Sequence, residues 1–400
     1  MTTTWDRMPT ERPSKLDPPE IYAEIRESDP MARVRFPNGM EGYLVTRFDD
    51  VVAGFGNPNF VAQGRPRYEV ADANPDTKTP FAGTFVNMDG EEHHKYRRLL
   101  TARFSVRYIR QNLQEFIDRT VDEHLDRIAA GPDEFDFVAD MALSVPSLVI
   151  CEILDVPVED RAAFNTVSAN MMDMDRAQAL REQDQKWIFD YIRTLLERKR
   201  SEGATKGLLA ELLQQQKEAD FEITDEDLVR IGGLLLVAGH DTTTMMISLS
   251  MLTLLTMPEA RAAFASGEPV GTAVEELLRF LTIVHFGLAR RAATDFEFLG
   301  TPLEKDDLVV FSLVGANRDP RMYENPDALD FDRQALRHVA FGFGVHQCLG
   351  QNVARAEITS VLTKTLQRFP DLRLAVPVDE VPMHDRSTNY GVEKLWVAKS

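Results

Sequence analysis

Residues 224–256 read as one uninterrupted helix, and its length constrains every other element. Thr224-Asp225-Glu226-Asp227 forms a capping box, with an acid in place of the usual Glu/Gln. At 1.5 Å per residue the segment runs about 50 Å, enough to cross a whole domain. Its stretch "IGGLLLVAG", residues 231–239, is apolar on all sides, as a buried helix must be. Gly239 costs about 1 kcal/mol against Ala in a helix, and close approach of a ligand to the backbone is one reason to keep it. His240, Asp241 and Thr242 to Thr244 then bring polar groups where a core expects none. Threonine hydroxyls can bond back to carbonyls four residues earlier and bend the helix, opening a pocket. A helix emerging into solvent is the plainer reading, weakened by the apolar "MMISLSMLTLL" that follows.

The rest of the chain is mostly helical. Apolar residues recur at three- and four-residue spacing over 20–28, 46–55, 89–102, 107–130, 140–154, 159–171 and 178–201, and again over 257–265, 270–281 and 350–367. "ARVRF" and "GYLVT" flank Pro37-Asn38-Gly39, a hairpin signal, and further strands are expected at 286–299, 308–311 and near the C-terminus. The fold class is therefore mainly α with a smaller β-rich region. No linker or repeat divides the 400 residues, so one domain over 1–400 is expected. The polar stretch 57–87, with little periodicity, is long enough to be a functional loop.

A net charge of −19 argues against nucleic acid and against anionic membranes. The longest uncharged apolar stretch is too short to span a bilayer, and the N-terminus lacks an apolar signal region. With only two cysteines, a cytoplasmic protein without a disulfide framework is expected. One segment opposes the acidic trend: His93 to Gln114 holds six Lys/Arg and no Asp or Glu. It reads either as a solvated helix face or as a site for an acidic partner or anionic cofactor.

Cys348 stands in "FGFGVHQCLG", residues 341–350, directly before a helix. Gly342, Gly344 and Gly350 permit positive φ, so amides can turn toward the sulfur, and the helix presents its positive end to it. Both effects favour thiolate. Cys151, in "PSLVICEIL", fits an ordinary buried cysteine instead. Zinc held by His346 and Cys348 lacks the third and fourth ligands such sites need.

"FGFGVHQCLG" resembles the cysteine-loop signature of the cytochrome P-450 haem-thiolate monooxygenases. "HHKYRR" at 93–98, "AGHDTT" at 238–243, "EELLR" at 275–279, and "ANRDP" at 316–320 with Phe331-Asp332-Arg333 agree in order along almost the whole chain. The soluble actinobacterial members that tailor natural products are the most similar group. The resemblance implies haem b held between the long helix and the cysteine loop, with Cys348 as axial thiolate and Phe341 beside it. It implies that His93, Arg97, Arg290 and His346 hold the propionates. Periodicity alone leaves His94 and Arg98 equally possible, and Arg291 is the fallback for Arg290. By the same analogy Thr242 holds water at the oxygen site and Asp241 feeds it protons, while Glu276, Arg279 and Arg333 form a structural triad.

The implied activity is hydroxylation or epoxidation of a medium-sized hydrophobic molecule with O2. Electrons would come from a separate ferredoxin and ferredoxin reductase, received by outward charges such as Arg98, Arg103, Arg107 and Arg110. Oxidative coupling or desaturation by the same oxidant is the alternative enzyme, and a haem sensor or carrier the alternative without turnover. Family positions for substrate contacts are Phe81, Phe85, Val86, Met171, Leu235, Ala238, Val284–Leu288 and Asn389–Tyr390.

Overall fold

The computed structural model describes residues 4–5, 11–66, 68, 83–172, 178–265, 270–333, 337–385 and 388–400. The long helix forms as one piece, Asp225–Thr256. Its capping box closes reciprocally: Asp227 N donates to Thr224 Oγ1 at 3.1 Å and Thr224 N donates to Asp227 Oδ2 at 2.8 Å. From Leu228 through Leu236, and again from Thr243 to Leu254, this central helix is almost wholly buried. It packs on helices Ser144–Leu154, Gln178–Glu202 and Gln351–Arg368, the last being the helix that follows Cys348. The largest apolar cluster gathers around it.

The expected 107–130 helix is two. Val106–Asn112 and Gln114–Ala130 meet at Leu113, whose φ of −121° leaves the helical range. Ile109, Leu113 and Ile117, spaced four apart, are all in the core, so the apolar period runs on through the break. Leu208–Glu218 is a helix that the spacing did not announce. Leu208 and Leu212, and Leu209 and Leu213, four apart, make one face that is buried against Gln178–Glu202 and the central helix.

The β portion is a six-stranded mixed sheet of residues 4–5, 32–35, 41–45, 308–311, 288–292 and 60–61 in spatial order, with a small three-stranded and a two-stranded sheet beside it. The hairpin at Pro37-Asn38-Gly39 is present, with Gly39 at φ +84°. Strand Leu288–Ala292 pairs antiparallel with Leu308–Phe311, so alternate side chains point to opposite faces. That alternation decides which arginine turns inward.

The triad proves to be architectural. Glu276 and Arg279 are both fully buried, and Arg279 donates to both Glu276 oxygens at 2.7 Å. Its remaining donors reach the carbonyls of Asn317, Pro326 and Ala328. Arg333 reaches the same carboxylate at 3.2 Å. A buried ion pair is tolerable only when every donor and lone pair is used, as here. The "ANRDP" segment continues the frame: Asn317 accepts from Val339 N at 2.8 Å, two residues before Phe341, and Asp319 accepts from Phe48 N. These contacts fix where the cysteine loop begins.

Candidate active site

The cysteine loop turns at Gly342 (φ +70°) and Gly344 (φ +73°), both in the left-handed region. At Gly344 a Cβ would come within 2.9 Å of the Phe55 carbonyl oxygen, so only glycine fits. Gly350 does not share this conformation; its φ is −79°, and it serves as the residue before helix Gln351–Arg368. The amides that reach the Cys348 sulfur are those of Gly350 and Gln351, at the helix start, not those of the loop glycines. Burial pushes the thiol up, and this outweighs the two amides and the charges of Arg97 and Arg355 that pull it down. The amides at the helix start do pull the thiol down, as expected, although burial acts more strongly in the other direction. Cys348 is accessible by area although it is set deep among protein atoms, so the space it fronts is internal. Cys151 is buried among apolar side chains and its thiol is pushed up to about 12 by burial, as an inert core cysteine should be.

Cations converge on this region with too few protein anions to meet them. Arg290 is only 7% exposed, yet among the described residues no carboxylate pairs with it. Its guanidinium donates to its own strand at Ala289 O and lies over the Phe55 ring, and burial with repulsion from Arg65 lowers it to about 10. Arg291, on the opposite strand face, pairs with Asp306 and contacts the Gln63 carbonyl. The alternation settles that ambiguity: Arg290 turns inward.

His93 is fully buried and neither ring nitrogen has a partner. It lies 4.2 Å, centroid to centroid, from His346, and burial and that neighbour lower it to about 4. Arg97, four residues on, donates to Gln347 O at 2.5 Å and acts on the Cys348 thiol. His94 and Arg98 face the other way. His94 is exposed and bonds Gly90 O, and Arg98 sits 3.8 Å from Asp220 at the surface. The pair His93 and Arg97 is thus the inward one. His346 reaches Asp89 Oδ1 at 3.4 Å. Burial raises the Asp89 carboxyl, but His346 and the amides of Ala62 and Gln63 outweigh this and hold it at about 2.

Asp89 and Arg65 were not legible as site residues. Asp89 precedes a helix and reads as an ordinary cap, but its side chain makes no cap bond and instead ties residues 62–63 to His346. Arg65 lies in the irregular stretch before residue 87, where no period assigns it a direction; it donates to Asn87.

On the central helix, Ala238 is exposed in the middle of an otherwise buried element, so it too faces an internal space. Leu235 and Thr242 lie three and four residues away, on the same face. Thr242 Oγ1 donates to Ala238 O at 2.8 Å, the back-bond expected of it. A Cβ at Gly239 would meet only Ile150, at 3.8 Å, so no protein contact requires glycine there. Asp241 accepts from Asn389 Nδ2 at 2.8 Å; burial raises its carboxyl, against the lowering effects of Asn389 and His384. His240, two residues from Ala238 and so on the far side of the helix, is buried with both nitrogens unpartnered.

Among the positions expected at substrate, Val284 and Leu288 are half-buried, while Phe286 and Tyr390 belong to packed cores. Phe85 is buried beside His93. Phe81 and the side chain of Met171 lie outside the described residues.

A profile of the cytochrome P-450 family matches residues 158–265 and 270–391. The chain is 38% identical over 394 residues to pentalenic acid synthase of Streptomyces avermitilis, covering 97% of this chain and 96% of that one. The chain belongs to the cytochrome P-450 family. It is also 37% identical to the vitamin D3 dihydroxylase of Streptomyces griseolus, covering 99% of this chain and 97% of that protein. The solved structure of CYP105P2 from Streptomyces peucetius, in complex with a biphenyl compound, superposes with a TM-score of 0.92 at 37% identity, covering 99% and 100% of the two chains. The mainly helical fold with small sheets and the monooxygenase class follow from these likenesses. Family membership implies haem. The unpaired Arg290, the orphaned nitrogens of His93 and the accessible thiol of Cys348 fit an anionic, iron-bearing group.

Proposed function

We propose that this P-450 is a single-domain, ferredoxin-dependent monooxygenase that hydroxylates or epoxidises a medium-sized hydrophobic molecule of secondary metabolism. The observation that carries the reading is the pair of inward guanidiniums, Arg290 and Arg97, with no carboxylate partner among the described residues, beside the unpartnered His93 ring and an accessible thiol. Arg290, Arg97, His93 and His346 would hold haem propionates through charge-assisted hydrogen bonds. Cys348 would ligate the iron, whose charge supplies what burial denies the thiolate. When bound, a thiolate-ligated haem supplies O2 activation, because the electron-rich sulfur favours O–O cleavage.

The chain's own residues do the rest. Ala238 and Leu235 leave an apolar wall beside Thr242, which suits a hydrophobic substrate and excludes bulk water. Thr242 Oγ1 holds a water or proton at the oxygen site, and the Asp241 carboxyl replenishes that proton. Arg98, Arg107 and Arg110 are exposed and form the basic face for an acidic ferredoxin. Arg103, expected among them, is instead tied to Glu211 and Tyr108 with its side chain 16% exposed, and it is withdrawn from that face.

The test is substrate-dependent consumption of O2 and NADPH with surrogate ferredoxin and reductase, on compounds first screened for displacement of iron-bound water. Stoichiometric oxygenated product supports the reading. Failure of every bound compound to stimulate consumption, with electron transfer intact, would overturn it.

A further inference from the structure

Asp241 is proposed above as an acid; it is half-buried by area but set deep among protein atoms, so its protons must come through neighbouring groups. The C-terminal hairpin, with arms 381–385 and 388–392, lies across the central helix at two points one turn apart. Asn389 Nδ2 donates to Asp241 Oδ2 at 2.8 Å. Four residues along the same helix face, Met245 meets Gly391, where a Cβ would come within 2.7 Å of the Met245 Cβ. Only glycine lets the hairpin lie this close.

The hairpin's own register then places His384. Met383 bridges Val392, and His384 N donates to Gly391 O at 2.9 Å, so His384 stands directly across from the residue seated on Met245. It is half-buried, with exposed Asp385 next to it. Its imidazole is near enough for its charge to act on the Asp241 carboxyl.

The other arm is held from two sides. Asn389 bridges Val284, and Tyr390 N donates to Ile283 O at 2.7 Å. From the N-terminal segment, Arg12 lies 3.8 Å over the Tyr390 ring and 3.2 Å from His285 Nδ1, and Lys15 O accepts from Tyr390. The arm carrying Asn389 is therefore fixed, and the arm carrying His384 reaches toward solvent.

We propose that His384 is the residue through which protons enter from solvent to Asp241, and that Asn389 is the positioning residue that holds the carboxyl to receive them. Asn389 occupies Oδ2, so Oδ1 is the oxygen that takes and gives the proton. Through a bridging water, protonated His384 gives its N–H proton to the Asp241 carboxylate and recovers one from solvent. Asp241 passes its proton toward Thr242. This rests on the reading of Asp241 in the preceding section. In the absence of substrate the same route serves reduction of O2 to hydrogen peroxide, which takes two electrons from NADPH by way of ferredoxin and two protons.

The experiment uses holoenzyme reconstituted with ferredoxin, ferredoxin reductase and NADPH, without organic substrate. It reads hydrogen peroxide formed in H2O and D2O, and the infrared carbonyl band lost in Asp241→Asn. His384→Gln is expected to slow peroxide formation several-fold, enlarge its solvent isotope effect and shift the Asp241 band, while first-electron transfer trapped with carbon monoxide keeps its rate. Asn389→Ala, which frees Oδ2, should shift the same band. A wild-type isotope effect and an unmoved band in His384→Gln would overturn the assignment of His384. Wild-type peroxide formation in Asp241→Asn would overturn the reading of Asp241 itself, and this assignment with it.

Discussion

Thr242 and Glu276 show how differently two polar side chains serve this molecule. Thr242 makes one bond, to its own helix, and borders an internal space, so its loss leaves the frame intact. Thr242→Ala should retain haem and NADPH oxidation but lower the product formed per NADPH, with peroxide appearing instead; product and peroxide assays check this. Glu276 answers Arg279, Arg333 and the Asp330 amide at once. Glu276→Gln leaves Arg279 charged and under-compensated in a site with no access to water, a change that costs about 3–5 kcal/mol. Denaturation of the purified protein, or its failure to retain haem, measures that loss. The neighbours legible in sequence, with the family resemblance choosing among them, are the local ones: Arg97 one turn after His93, His346 two before Cys348, Arg279 three after Glu276. Asn389, 148 residues from Asp241, could not be paired with it from any period. Arg65 and Asp89 lay hidden for the same reason, their partners being set by the packing of irregular segments.

Elements meet at the cysteine loop through a second charged junction. Glu275, beside the triad, receives both Arg355 and His338, and Arg355 lies 4.5 Å over the Phe341 ring. Burial raises the Glu275 carboxyl, but His338 and Arg355 outweigh it and hold it at about 2. A carboxyl lowered in the fold stabilises it above the ordinary glutamate value of about 4.3, and that stability drains as pH falls toward about 2. Acid unfolding of Glu275→Gln should therefore be less steep than wild type across this window, as a pH series of thermal melts would show. At the turn before it, Gly344→Ala meets both a positive φ and the Phe55 carbonyl, and should cost haem affinity before it costs helix content. Haem content against far-ultraviolet circular dichroism separates the two. The helices themselves were mostly legible, since a buried stripe writes its period into the sequence. The break at Leu113 was not, because both halves keep the same apolar period across it.

Across the whole molecule, the exposed arginines before residue 114 stand against the acidic balance. Arg98 is exposed on the helix whose other side holds His93 and Arg97, and Arg107 and Arg110 are exposed on the helix Val106–Asn112 that follows. Arg107→Glu should slow the first electron transfer from ferredoxin at low salt and leave haem content unchanged, with the difference fading as ionic strength rises and the Debye length falls to about 8 Å or less. Stopped-flow reduction under carbon monoxide reads this directly. No helix among the described residues is long and apolar enough to cross a membrane. The central helix is buried along most of its length and accessible at Ala238.

The account stands or falls on sulfur at position 348 ligating iron. The ferrous–carbon monoxide absorption spectrum of the haem-loaded protein tests it most directly. Wild type should show the strongly red-shifted Soret band of a thiolate-bound haem, and Cys348→Ser should lose it. An unshifted band of the imidazole-ligated kind in wild type, or the same red-shifted band surviving in Cys348→Ser, would contradict the account.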